Sequence, residues 1–173
     1  MIVVSDTSPL ITFAKIGYLQ QVQALFGTVY VPPEVERELA AKGVAEGVPD
    51  ILALTRGWLI VQAPTTLFSF PTLDPGEAAA ISLAIELKVS SLLIDEKAGR
   101  KAAAAKGIPV IGTVGVLEEA AERGLLHLDE AFRLLKATNF RFPAKALDEL
   151  LRDFHQRQAE QNTPDPDTEL ENE

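Results

Sequence analysis

Short apolar runs alternate with helical patterns along most of this chain, and this alternation constrains the fold more than any other feature. Five runs have the length of strands: IVVSD, TVYV, WLIVQA, SSLLID and PVIGT. Segments with helical periodicity, such as SPLITFAKI, EVERELAAKG and LDPGEAAAISLAIELK, separate them. Strands joined through helices pair in parallel, because a right-handed crossover returns the chain to the same end of the sheet. The sequence therefore predicts a three-layer α/β/α fold, in which helices cover both faces of a central parallel sheet.

The length and composition suit one globular domain. The chain has 173 residues, of which 47% are hydrophobic, so it can bury a sizeable core. We predict a single domain over residues 1–160, in which the C-terminal helices begin at about residue 128. Residues 161–173 contain five acids and no base, a composition that predicts a disordered acidic tail.

The composition also excludes several classes of protein. The chain has no cysteine, which excludes a disulfide framework and thiolate zinc sites and fits a reducing cytoplasm. The N-terminus has no basic region followed by a long apolar stretch, so it does not resemble a signal peptide. The most apolar segment, AAAISLAIELKVSSLLI, contains Glu86 and Lys88 and divides into a helix and a strand. We therefore expect a cytoplasmic protein that does not enter a membrane.

The net charge of −9 argues at first against a nucleic-acid partner. However, residues 1–160 carry only −4, because five acids lie in the C-terminal segment. Four bases follow the run SSLLID closely: Lys97, Arg100, Lys101 and Lys106. The distribution of charge thus weakens the argument against a nucleic-acid partner.

Two of the predicted strands end on an aspartate. Asp6 closes IVVSD, and Asp95 closes SSLLID. Because the carboxyl ends of parallel strands share one edge, where ligands of open α/β sheets bind, we expect both side chains at that edge. The ordinary alternative is that each acid caps the helix that follows it. Ser8, followed by Pro9, is the better-placed cap for the first helix, which leaves Asp6 available, whereas Asp95 can combine capping with a second role.

A glutamate on the helix EVERELAAKG adds a third candidate. At about 100° per residue, Val35 and Leu39 define the buried stripe of this helix, and Glu38 lies roughly 60° from Val35. The neighbouring glutamates of the helix lie farther from the stripe, so Glu38 is the one nearest the core. The alternative is a surface residue that pairs with Lys42 at i+4.

Glu77 is the fourth candidate, and two interpretations of it stay open. Asp74 and Glu77 have the spacing of a capping box, in which Glu77 bonds back to the N-cap. The following residues, AAAISLAI, are apolar nearly all round the helix. A carboxylate at the entrance to so buried a helix is unfavourable unless it is paired or bound to a metal.

Four converging carboxylates would repel one another, and a divalent cation would remove that repulsion. The chain has only two histidines, His127 and His155, so the ligands would be oxygens, which suit Mg²⁺ or Mn²⁺. Such an ion lowers the pKa of a bound water and holds it against a phosphodiester. Around this site we expect four substrate contacts. Ser8 would orient a ligand or water, Lys97 and Arg100 would contact phosphates, and Thr113 would support the edge unless it is simply an N-cap.

Five segments together resemble the PIN-domain family, in its branch of small prokaryotic proteins. They are VSDTSPLI, VPPEVEREL, LDPGEAAAISLA, LLIDEKAGRKAA and GIPVIGTVGVL, and they cover roughly residues 1–140 in order. The resemblance implies a compact α/β/α domain with an acidic nuclease centre that depends on Mg²⁺ or Mn²⁺. Its four acids fall on Asp6, Glu38, Glu77 and Asp95. The third position is more usually aspartate, so Glu77 departs from the family's pattern by one methylene.

The resemblance also implies a function and partners. Many small members are ribonucleases, often toxins of toxin–antitoxin pairs, and commonly homodimers. We therefore predict a metal-dependent endoribonuclease, with RNA as substrate and a small antitoxin protein and a second copy of the chain as partners. The alternative is a non-catalytic PIN-like module that binds RNA or protein, which the acidic balance and the longer Glu77 favour. A phosphoacceptor domain is disfavoured, because a single aspartate ends the first strand and no lysine ends the last.

Overall fold

The fold is built on one parallel sheet of five short strands. A computed structural model describes residues 1–163, so residues 164–173, which hold most of the predicted acidic tail, lie outside the described residues. The strands stand in the order β3-β2-β1-β4-β5, and every pairing is parallel. Their bounds are β1 Val3–Ser5, β2 Val29–Val31, β3 Leu59–Val61, β4 Ser91–Leu93 and β5 Val110–Ile111. Each lies within one of the five predicted runs, and the predicted three-layer α/β/α class is confirmed.

Nine helices occur within residues 1–163. Seven of them, α1 to α7, lie between consecutive strands or after the last one, and the sequence predicts all seven except α4. Their bounds are α1 Thr7–Ile16, α2 Leu19–Phe26, α3 Pro33–Ala45, α4 Ile51–Leu54, α5 Pro75–Leu87, α6 Lys97–Ala105, α7 Thr113–Glu122, α8 Leu128–Lys136 and α9 Ala144–Gln161.

The strand order places a topological switch point between β1 and β4. The chain runs outward from β1 through β2 to β3, and then returns to the other side of β1 to form β4. In the register of these two strands, Ser5 pairs with Leu93, and the Asp6 amide donates to the Leu93 carbonyl at 2.9 Å. The residues that follow β1 and β4 are therefore neighbours at the edge where open α/β sheets bind ligands.

The central strands are apolar on both faces because helices cover both. Val3, Val4, Leu92 and Leu93 are all fully buried. Burying one such side chain stabilises the fold by about 1.5–3 kcal/mol. This burial explains why the strands appear in the sequence as continuous apolar runs rather than alternating ones.

Two local expectations about α3 and its connection are wrong. The predicted helical segment EVERELAAKG ends at Gly43, but the helix continues to Ala45. The glycine instead permits close packing, because a Cβ there would lie 2.8 Å from the Val48 carbonyl oxygen and 3.1 Å from Cγ2 of Ile51. Ile51 begins the short helix α4, which the sequence did not predict, and its side chain is fully buried.

The chain divides into two compact units, Met1–His127 and a second that begins at Leu128. The second unit contains α8 and α9, with Lys136 Nζ 2.5 Å from Asp148 and a contact between His155 and Asp129. A single domain over residues 1–160 stays a prediction. No helix in the described part of the chain is long and apolar enough to cross a membrane.

Candidate active site

A cleft of about 360 Å³ lies in the first unit, where the chain leaves β1 and β4. Five of its lining residues are acids, and we call this site the acidic cleft: Asp6, Glu38, Asp74, Glu77 and Glu96. Three of the four predicted acids are thus brought together. Lys42 is the one base among the described residues that line it.

Asp6 lies at the N-cap position of α1 but does not cap it. Its backbone is extended (φ −76°, ψ 172°), and its side chain makes no capping hydrogen bond. The side chain is 3% exposed, and its Oδ1 has no hydrogen-bond partner among the described residues. Burial raises the pKa of Asp6 to about 7, and the charges of Glu77, Asp74 and Glu38 add to the effect, while the Thr7 amide opposes it.

The predicted cap at Ser8 is wrong, because α1 already begins at Thr7. Ser8 is the second residue of the helix, and it lines the acidic cleft. Asp6 was expected to be free because Ser8 caps the helix; instead Asp6 occupies the N-cap position itself, but its side chain makes no capping hydrogen bond. Its backbone starts the helix, and its side chain lines the acidic cleft.

Glu38 is held in place by neighbours on two helices. The Thr7 hydroxyl donates to Glu38 Oε2 at 2.5 Å, and Lys42 Nζ lies 4.0 Å from the same oxygen. On the other side, a Cβ at Gly76 would lie 2.5 and 2.6 Å from the two carboxylate oxygens of Glu38. The glycine of α5 therefore leaves the space that the Glu38 carboxylate fills. Glu38 therefore both lies near Lys42 and lines the acidic cleft, so the two interpretations of this residue are compatible.

Glu77 combines the two interpretations that the sequence left open. The capping box is present: Asp74 Oδ1 accepts from the Glu77 amide at 2.8 Å, and Glu77 Oε2 accepts from the Asp74 amide at 3.2 Å. The residue is 6% exposed and also lines the acidic cleft. Burial raises the pKa of Glu77, and the charges of Asp74, Glu96 and Glu38 raise it further, against the Asp74 amide.

Asp95 is not among the residues that line the acidic cleft. Its two oxygens accept from one residue: the Thr113 amide donates to Oδ1 and the Thr113 hydroxyl to Oδ2, both at 2.7 Å. Burial raises the pKa of Asp95, although these bonds and the nearby Arg100 charge oppose the shift. The part of Asp95 in metal binding stays a prediction.

The predicted substrate contacts occupy different surroundings. Arg100 donates from Nη1 to the Ile94 carbonyl at 3.0 Å, beside Asp95. Thr113 is fully buried as the first residue of α7, so it supports the edge and is not accessible to a substrate. Lys97 is exposed at the start of α6, and Ser8 faces the acidic cleft. Only Ser8 of these four lines the cleft.

The acidic cleft fits a hard divalent cation by its donor set. The described residues contain no group of three or more histidine, cysteine or acidic side chains already arranged to hold a metal ion. Even so, Asp6 Oδ1 is buried and unpartnered, and the carboxylates around it repel one another. A buried polar atom without a partner is unfavourable, and carboxylate oxygens are the ligands that Mg²⁺ and Mn²⁺ prefer. The residues present therefore suit such an ion.

Two acids of the cleft were not singled out from the sequence. Asp74 was interpreted only as a helix cap, and Glu96 was given no role. The structure gives the two adjacent acids different surroundings: Asp95 accepts hydrogen bonds from Thr113, whereas Glu96 lines the cleft. The sequence alone does not show which of the pair would face the cleft.

A family model identifies the kind of domain. A family model described as a PIN domain (DUF3368) matches residues 2–156. Among solved structures, the chain is similar to a PilT N-terminus domain protein from the hyperthermophilic archaeon Sulfolobus solfataricus. The two share 20% sequence identity with a TM-score of 0.48, over 73% of this chain and 96% of that chain. A search of curated proteins found no match.

Proposed function

Since the family model covers residues 2–156, the chain belongs to the PIN-domain family, and we propose that it is a metal-dependent endoribonuclease. PIN domains are generally nucleases and typically use divalent metal ions. The observation that carries the proposal is the buried, unpartnered Oδ1 of Asp6 in a cleft with the carboxylates of Glu38 and Glu77.

Asp6, Glu38 and Glu77 would hold Mg²⁺ or Mn²⁺ in the acidic cleft. When bound, the ion supplies positive charge that lowers the pKa of water and stabilises the charge on a phosphodiester. The protein's own part is to keep the carboxylates close together and oriented. Thr7 fixes Glu38 through its 2.5 Å hydrogen bond, and the capping box fixes Glu77.

The substrate contacts would come from the polar and basic residues beside the cleft. Ser8 lines the cleft and would orient a water or a phosphate oxygen. Lys42 is half exposed and lies 4.0 Å from Glu38, where its charge would attract an RNA phosphate. Lys97, exposed at the start of α6, would add a second phosphate contact. Helix α6 follows β4 directly, so its first residue lies near the cleft.

The finer biological role rests on the family resemblance. We propose a cytoplasmic ribonuclease that acts as a toxin, with a small antitoxin protein as its partner and a second copy of the chain completing a homodimer. Co-expression with the protein encoded beside it, followed by a growth assay and size-exclusion chromatography, would test these three points together. Growth unaffected by expression of the active protein alone would contradict the toxin role.

The second candidate is a non-catalytic module that binds RNA or protein. One observation favours it: Oε2 of Glu77 is engaged by the Asp74 amide, so the capping box competes with metal binding for this carboxylate. RNA bound with sub-micromolar Kd but left intact at every metal concentration would support this candidate.

The deciding experiment measures cleavage of a labelled single-stranded RNA with Mn²⁺ or Mg²⁺, with and without EDTA. We expect cleavage that EDTA abolishes. The cleavage rate of Asp6→Asn should be at least roughly a hundredfold lower than that of the wild type. Glu149→Gln is the matched control, because Glu149 is an exposed acid on α9 outside the cleft. Cleavage that persists in EDTA, or an Asp6→Asn rate equal to that of the control, would disprove the proposal.

A further inference from the structure

We propose that Glu96, and not its neighbour Asp95, supplies the fourth carboxylate of the acidic cleft, and that Asp95 serves to join β4 to α7. The assignment rests on the proposed function, because it names a residue of the same metal site. It departs from the prediction made from the sequence, which placed the fourth acid at Asp95.

Asp95 is fully engaged on the side of the sheet edge that faces α7. Both of its oxygens accept hydrogen bonds from Thr113 at 2.7 Å, which we call the Asp95–Thr113 link. The link is tightly enclosed, since a Cβ at Gly112 would lie 3.0 Å from Asp95 Oδ1 and 2.9 Å from Arg100 Nη1. A carboxylate that bonds the first amide of a helix stabilises that helix, so the link has a structural purpose of its own.

Glu96 points the other way and has no such task. It occupies the N-cap position of α6 with an extended backbone (φ −64°, ψ 131°), yet its side chain makes no capping hydrogen bond. Glu96 lines the acidic cleft, whereas Asp95 does not. Its charge acts on Glu77, which lines the same cleft.

Small residues in the first turn of α6 bring this helix close to Glu77. A Cβ at Gly99 would lie 2.5 Å from Cδ1 of Ile94 and 3.6 Å from Oε1 of Glu77. Ala98 lines the cleft beside Glu96. The start of α6 is therefore packed against the side of the cleft on which Glu77 lies.

An independent observation is the unsatisfied carboxylate of Asp6. Asp6 Oδ1 is buried and has no hydrogen-bond partner among the described residues, and Asp6 lines the same cleft as Glu96. A cation there would gain from the charge of Glu96, because the affinity of such sites depends on the number of charged ligands. Asp95 does not line the cleft, and both of its oxygens already accept hydrogen bonds from Thr113.

The test is calorimetric titration of Mn²⁺ into the metal-free full-length protein, with urea unfolding measured in parallel. We expect Glu96→Gln to weaken Mn²⁺ binding by roughly tenfold or more while leaving the urea midpoint unchanged. Asp95→Asn should lower the urea midpoint, as should Thr113→Val, and both should keep the wild-type Mn²⁺ Kd. Glu149→Gln is the control for the loss of one surface charge.

Three outcomes would overturn the assignment. Wild-type Mn²⁺ binding by Glu96→Gln would remove Glu96 from the site while leaving the proposed function intact. Loss of Mn²⁺ binding in Asp95→Asn at an unchanged urea midpoint would restore Asp95 as the ligand. No Mn²⁺ binding by the wild-type protein would overturn both the proposed function and the assignment, while the effect of Asp95→Asn on stability would still report on the link.

Discussion

The carboxylate of Asp6 lies in a position that is unfavourable for a lone charge. It is 3% exposed and shares the acidic cleft with Glu38 and Glu77. A carboxylic acid whose pKa is raised on folding binds its proton more tightly in the folded than in the unfolded state. The ionised form of Asp6 therefore costs stability, and a bound cation would remove that cost.

The first prediction concerns pH and the metal-free protein. The pKa of Asp6 rises from 3.8 to about 7 on folding, so the contribution of Asp6 to stability should be largest below pH 4, fall as the pH rises, and be lost above pH 7. In EDTA, Asp6→Asn should therefore raise the free energy of unfolding at pH 8 by up to about 4 kcal/mol and change it little at pH 4. Urea unfolding at the two pH values measures this, and an equal effect at both would contradict it.

The second prediction concerns the space beside Glu38. Gly76→Ala would place a Cβ within 2.6 Å of both carboxylate oxygens of Glu38, so the end of that side chain must move. Because the moving group is flexible, and alanine favours a helix, stability should change by less than about 1 kcal/mol. Mn²⁺ affinity and the rate of RNA cleavage should each fall roughly tenfold.

The control for this substitution is Gly115→Ala in α7, whose Cβ would meet the Ile111 side chain at 3.1 Å and lies outside the cleft. Calorimetry, RNA cleavage and urea unfolding would be measured on both variants. Unchanged Mn²⁺ affinity in Gly76→Ala would show that the position of Glu38 does not matter to the metal.

Sequence patterns identified some of the individual residues of the acidic cleft. Asp6 follows from the apolar run before it, and Glu38 from its angle to Val35 and Leu39, because both patterns are local. The choice between Asp95 and Glu96 is not local. It depends on the docking of Thr113, eighteen residues later in the chain, against the end of β4. No periodicity in the sequence reports such a contact.

At the scale of helices and strands, the N-terminus of α5 has two opposing effects on stability. Asp74 accepts the Glu77 amide in the capping box, which stabilises the helix. The Asp74 charge also repels Asp6 and Glu77 across the acidic cleft. Because Asp74 is exposed, solvent screens the repulsion more than it weakens the cap.

The third prediction follows from that balance. Asp74→Ala should lower the free energy of unfolding by about 1 kcal/mol, since the Glu77 amide loses its acceptor. Asp74→Ser keeps an acceptor but removes the charge, so it should unfold at the wild-type urea midpoint or slightly above. An increase in stability for Asp74→Ala would show that repulsion outweighs the cap.

The elements that the sequence predicted well share one physical cause. The three central strands β2, β1 and β4 are largely buried, so they appear as short apolar runs, whereas the edge strands β3 and β5 are more exposed. The errors lie where packing overrides local signals. Gly43 stays inside α3 because Val48 and Ile51 pack against it, and α4 is one short turn whose formation depends on burying Ile51. Neither effect is visible within a window of a few residues.

At the scale of the whole molecule, the charge opposes the proposed substrate. The net charge is −9, and five of the acids lie in residues 164–173. RNA is a polyanion, so a protein of this charge repels it over about one Debye length, about 10 Å at 0.1 M salt. The proposed metal ion would neutralise charge in the acidic cleft but would leave the C-terminal acids unchanged.

The last prediction tests this repulsion with a chain that ends at Thr163, which carries a net charge of −4. The family match ends at residue 156, so the truncation leaves the matched region whole. At about 20 mM salt, the truncated protein should bind single-stranded RNA roughly threefold more tightly than the full chain, and the difference should vanish at about 0.5 M.

A full-length variant with all five C-terminal acids changed to amides separates charge from length and should match the truncation. Fluorescence anisotropy with a catalytically impaired Asp6→Asn background prevents cleavage during the measurement. If the truncated and full-length proteins bind equally at low salt, the C-terminal charge does not act on the RNA, and the acids of the cleft alone set the electrostatic barrier.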